Sequence, residues 1–138
     1  MEKKVYILGG VLLAIVLIVA VLTLYSPSSV PSEVLLTETD NGNEIPVKKG
    51  QSLVISLDSN PTTGYTWELV EHPDEQILQQ VGELEFAQES ELIGAGGVET
   101  IRFDVVGSGL TAIRLEYHRP WETNVSPEKI FYIHVVAR

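Results

Sequence analysis

After residue 50, apolar side chains return at every second position in five separate stretches, and this rhythm restricts the fold more than any other feature of the chain. In QSLVISLD, Leu53, Ile55 and Leu57 share one face while Ser56 and Asp58 share the other. Tyr65, Trp67 and Leu69 alternate with Thr66 and Glu68; Ile101, Phe103 and Val105 with Arg102 and Asp104; Ile113, Leu115 and Tyr117 with Arg114 and Glu116. Phe131, Ile133 and Val135 form the inward set of IFYIHVV. A helix would repeat every 3.6 residues, so a period of two predicts strands with one dry and one wet face. VLLTETD (34–40) and ILQQVGELEFAQ (77–88) bring the count to about seven strands, separated by turn clusters such as DNGNE, KKG, GSG and SPEK. Antiparallel strands of this number can bury their dry faces only by packing two sheets together. The expected fold is therefore all-β, an immunoglobulin-like β-sandwich over residues 33–138.

The other strong signal precedes that domain. Val5 to Tyr25 is a run of 21 residues without a charge, and a helix of about 1.5 Å rise per residue over that length matches a bilayer core. A cleaved signal has an apolar region of about 7–15 residues and a small-x-small site, whereas this run is longer and LTLYSPSSVPS offers only serines. The expectation is one N-terminal transmembrane helix within residues 1–25, an uncleaved anchor, with secretion after signal cleavage as the alternative. Lys3 and Lys4 precede the run and no basic residue follows it until Lys48, so the N-terminus is expected in the cytoplasm and the domain outside it. Residues 26–32, SPSSVPS, read as a short Ser/Pro tether.

Composition narrows the function by exclusion. The net charge is −10, and beyond the N-terminal segment 18 acidic side chains face 7 basic ones. Affinity for phosphates needs clustered Lys and Arg, so nucleic acid is not an expected partner. There is no cysteine, which rules out disulfides, thiolate zinc sites and a cysteine nucleophile. His72, His118 and His134 are scattered over a loop, a strand end and a strand, with no G-x-S-x-G elbow and no H-E-x-x-H, so neither enzymatic activity nor a metal or other cofactor is expected.

Three connections carry more than turn chemistry. In NPTTGY, Pro61 fixes its own φ and pushes Asn60 toward an extended conformation. Thr62 and Thr63 are stiff at χ1, and Gly64 is free to take positive φ. This loop is pre-shaped, although an ordinary tight turn would use the same residues. In ELIGAGGVE (91–99), Gly94, Gly96 and Gly97 lack dinucleotide-fingerprint spacing; they permit close approach of another backbone, with Leu92 and Ile93 beside them, or simply a flexible hairpin. In YHRPWE (117–122), Trp121 follows Pro120 at a strand end, where it either stands exposed with Arg119 as an interface anchor or folds back to cap the sandwich edge.

Together NPTTGYTW, GAGG and RPW, in that order on a strand pattern, resemble the chagasin family of cysteine peptidase inhibitors, over roughly residues 33–138. The resemblance implies an immunoglobulin-like sandwich with the three loops gathered at one end. It implies reversible, non-covalent inhibition of papain-like cysteine peptidases by a domain that is not turned over; a monomer is expected. By motif matching, Asn60, Pro61, Thr62, Thr63, Gly64 and Tyr65 would enter the catalytic cleft over the peptidase's Cys and His. Leu92, Gly94, Ala95, Gly96 and Gly97 would run along one side, and Arg119, Pro120 and Trp121 along the other. Tyr65 stands where phenylalanine is the other common choice, and His118, preceding Arg119 in the third loop, adds an ionisable group there. A membrane-anchored surface or adhesion domain without inhibitory activity is the alternative, since the sandwich serves many partners. The NVS sequon at Asn124 lies in the third loop, where a glycan would crowd that end.

Overall fold

Alternation becomes architecture in a computed structural model that describes residues 31–138. The apolar run at 5–25, its lysine flank and most of the tether lie outside the described residues. Among the described residues no helix is long and apolar enough to cross a membrane.

Among the described residues eight strands form: β1 (Glu33–Leu36), β2 (Glu44–Val47), β3 (Ser52–Ser59), β4 (Thr66–Glu71), β5 (Leu78–Gln88), β6 (Gly97–Val105), β7 (Gly109–His118) and β8 (Lys129–Ala137). They make two four-stranded sheets, ordered β1-β3-β6-β5 and β2-β8-β7-β4. The inward sets named from the alternation are buried except Tyr65 and Leu69, which are half-buried against the core, and side chains of both sheets meet in one core cluster centred on Leu53, Ile55, Phe103, Leu115, Phe131 and Ile133. Each such side chain contributes about 1.5–3 kcal/mol on leaving water. Trp67 plugs this core and donates its indole N–H to the Asp58 carbonyl at 3.0 Å.

The structure corrects the opening segment twice. The expected strand 34–40 stops at Leu36, because Thr37 and Asp40 turn the chain into a short 3-10 turn, Glu38–Asp40, with Thr37 N–H donating to Asp40 Oδ2 at 2.8 Å. Local side-chain acceptors compete there with the strand ladder. The chain then crosses to the other sheet as β2, a strand that Pro46 obscured in the sequence. Proline is tolerated here because β2 lies on an edge. Pairing is also not uniformly antiparallel, since β1 runs parallel to β3 and β2 parallel to β8. One segment thus edges both sheets. Asn41 fastens the crossover to β8, donating to the Ile130 carbonyl at 3.0 Å and accepting from Tyr132 N–H at 2.8 Å.

Register decides where the connections emerge. Ser59 and Gln88 both pair with Gly97, and Thr66 pairs with His118 while Tyr117 pairs with Lys129. The β3–β4, β5–β6 and β7–β8 connections therefore leave the sandwich at the same end.

Candidate functional site

The first of these connections is held by its own side chains. Pro61–Thr63 form a single 3-10 turn that begins at Asn60 and closes on Gly64, whose φ is +84°. Asn60 Oδ1 accepts from Thr62 Oγ1 at 2.6 Å and from Thr62 N–H at 3.3 Å, and Thr63 Oγ1 donates to the Asn60 carbonyl at 2.6 Å. Both threonine hydroxyl protons are committed internally. The loop is pre-shaped, as the Pro, β-branched and Gly residues predict, and Asn60 is its organising residue.

In the second connection, the glycines do permit close backbone approach, but the approaching backbone belongs to this chain. A Cβ on Gly97 would overlap the carbonyl oxygen of Ala87 and stand 2.8 Å from its carbon; one on Gly96 would lie 3.1 Å from the Ser59 carbonyl oxygen. Gly94 has open space around it and is required instead by its φ of +78°. Its carbonyl accepts from Asn60 Nδ2 at 3.2 Å, tying the second loop to the first. Leu92 and Ile93 are exposed at the tip, Ile93 completely.

The third connection is braced on the first. Arg119 donates from Nε to the Thr63 carbonyl at 3.1 Å and from Nη1 to Glu122 Oε1 at 3.0 Å, and its guanidinium lies 4.5 Å above the Tyr65 ring. The hydrogen bond to Glu122 holds the guanidinium pKa above its ordinary value. Trp121 is 67% exposed, so it does not fold back into the sandwich edge. It leans over Gly64, where a Cβ would overlap Trp121 Cη2 and lie 3.0 Å from Cζ2. His118 Nε2 stands 2.5 Å from Glu68 Oε2, beside the loops rather than within them.

The structure therefore brings Asn60–Tyr65, Leu92–Gly97 and Arg119–Trp121 to one pole and cross-links them. Beneath them lies a group that motif reading passed over. Glu99, 4% exposed, accepts from Ser59 Oγ at 2.6 Å, from Thr66 Oγ1 at 3.1 Å and from the Trp67 backbone N–H at 2.9 Å. Its signal was present in the alternation, because Glu99 falls in the inward phase of Ile101, Phe103 and Val105. Tyr117 was assigned to the core alone, yet its hydroxyl also accepts from Asn60 N–H at 2.9 Å while its ring packs between Tyr65 and Trp67. Among the described residues no cluster of His, Asp and Glu could hold a metal ion.

The molecule is an all-β sandwich of immunoglobulin-like architecture with three cross-linked loops at one pole. Comparison with known proteins narrows that class. The profile described as chagasin family peptidase inhibitor I42 matches residues 46–135. The chain belongs to the chagasin family, a family of peptidase inhibitors rather than enzymes. It is similar to chagasin of Trypanosoma cruzi, with 34% identity over 106 residues covering 74% of this chain and 96% of chagasin. Among solved structures it is similar in fold to a cysteine protease inhibitor of Entamoeba histolytica, with a TM-score of 0.64 and 24% identity over 77% of this chain and 95% of that one. It is also similar to PbICP-C, solved in complex with falcipain-2, with a TM-score of 0.53 and 20% identity over 77% and 98% of the two chains.

Proposed function

We propose that this domain inhibits papain-like cysteine peptidases reversibly and without a covalent bond, by filling the active-site cleft with the three loops at its one pole. The observation that carries this reading is the cross-bracing of the loops, through Asn60 to Gly94 and through Arg119 and Trp121 to Thr63 and Gly64. A papain-like thiolate attacks an extended substrate carbonyl held against an oxyanion hole. The Pro61–Thr63 backbone is turned rather than extended, so a cleft filled by it holds no carbonyl in attack geometry. Thr62 and Thr63 take the central place, over the peptidase's Cys and His. Leu92 with Gly94–Gly97 lines one side, and Arg119 with Trp121 the other.

The relatives' names support the target class, and membership of an inhibitor family supports the activity. The apolar run at 5–25 supports a single-pass anchor that holds a monomeric inhibitor domain, residues 33–138, outside the cytoplasm by way of the tether at 26–32. The test is an inhibition assay against papain and a cathepsin L-like enzyme. Dose-dependent inhibition that reverses on dilution is expected; none at micromolar concentration would overturn the reading.

A further inference from the structure

The buried carboxylate of Glu99 has no part in the contacts proposed above, yet it sits at the junction from which the first loop springs. A carboxyl group this far from water is tolerated only when its acceptor sites are filled. Here they are filled by three residues that share one property: each is a stem of the first loop. Ser59 is the last residue of β3, immediately before Asn60, and Thr66 and Trp67 open β4, immediately after Tyr65. The two stems belong to different sheets, β3 to one and β4 to the other. Glu99 itself lies on β6, two residues beyond Gly97, against which the second loop closes. One side chain thus sets the separation of the stems across the sandwich and references both to the root of the second loop.

We propose that Glu99 is a positioning residue of the inhibitory site, a clamp on both stems that keeps the Asn60–Tyr65 loop in its binding shape. This rests on the reading that the first loop fills the cleft. A residue needed only for folding would change stability; a clamp changes the loop. In Glu99→Leu, Trp67 N–H loses its acceptor and the Ser59 and Thr66 hydroxyls lose their common partner. Glu99→Gln keeps an oxygen for Trp67 N–H and an amide that can donate to Ser59 Oγ, so it should rescue.

The experiment pairs amide hydrogen exchange over residues 60–67 of the free protein with the inhibition constant against papain, on the full chain in mild detergent. Glu99→Leu is expected to speed exchange at Thr63 and Gly64 and to weaken inhibition by roughly tenfold or more, with Glu99→Gln within about threefold of wild type. Ile133→Val, a core change that lowers thermal stability, should leave both readouts in place. Should Glu99→Leu fail to fold, the double variant Ser59→Ala, Thr66→Val carries the same expectation, since it removes two of the three donors while keeping the Trp67 N–H bond and nearly all of the buried volume. A folded Glu99→Leu or double variant with wild-type exchange and wild-type inhibition overturns the clamp. A wild type whose loop is protected but which does not inhibit overturns instead the inhibitory reading on which the clamp depends.

Discussion

Replacing Gly64 by alanine puts the largest strain on the fewest atoms. Gly64 has a φ of +84°, and a Cβ there would overlap Trp121 Cη2 while lying 3.0 Å from Cζ2 and 3.3 Å from Cζ3. The left-handed backbone costs an alanine about 1–2 kcal/mol. The overlap cannot be absorbed by the methyl, which is fixed to the backbone, so the indole must swing aside by roughly 1 Å or more to regain contact distance. Trp121 is free to do so because two-thirds of it faces solvent. Fold stability therefore drops by about the backbone strain alone. On the proposed function binding loses more, because a tryptophan anchor moved out of place forfeits about 2 kcal/mol. Together with any relaxation of the turn the loss reaches about 3 kcal/mol, on the order of 100-fold in the inhibition constant. The assay is a double-mutant cycle of Gly64→Ala and Trp121→Ala against papain, with thermal melts alongside. In the Trp121→Ala background the methyl meets no ring, and Gly64→Ala should then cost about tenfold or less. Wild-type inhibition by Gly64→Ala, or a loss just as large without the indole, would refute the idea that the two loops are locked through this contact.

Arg119→Lys keeps the charge but loses the planar fork that bonds the Thr63 carbonyl and Glu122 while covering Tyr65. Inhibition should weaken by about 1 kcal/mol, measured as an inhibition constant, with a melting temperature close to wild type. Phe103→Ala opens a cavity in the centre of the core and should lower the unfolding free energy by about 3–5 kcal/mol in denaturant titration. A similar melt for both variants would mean that the loops and the core are not separable as described. Protease added to intact cells should remove the domain if the apolar run at 5–25 anchors it outside the cytoplasm; full protection would reverse that topology.

The sandwich was legible because its physical cause is local: an inward side chain at every second position declares its strand without reference to any partner. Where the sequence misled, a local hydrogen bond or a proline overrode the pattern. Thr37 and Asp40 ended β1 early, and Pro46 disguised β2, whose parallel pairing with β8 spans some ninety positions that no short window can see. The loop residues were legible as motifs, but their purpose was only partly so. Gly96 and Gly97 signalled close approach correctly without saying that Ser59 and Ala87 do the approaching. Glu99 was hidden in plain view, a buried carboxyl on the dry phase of a strand, and that contradiction is itself the signal.

If the three loops fill a cleft as proposed, their bracing lowers the ordering cost of binding. Fixing one residue's backbone costs about 1–2 kcal/mol, so six free residues from Asn60 to Tyr65 would cost on the order of 10 kcal/mol to order at a cleft, comparable to a nanomolar affinity. Here that ordering has already occurred during folding. Asn60 gathers both threonines, Tyr117 holds Asn60 from below, and Arg119 and Trp121 hold Thr63 and Gly64 from the side. Loosening any brace returns part of that entropy cost to the binding step. Variants at Gly64, Arg119 and Glu99 should therefore weaken inhibition chiefly through faster dissociation and greater loop motion, even though Glu99 touches no peptidase atom in the proposed complex.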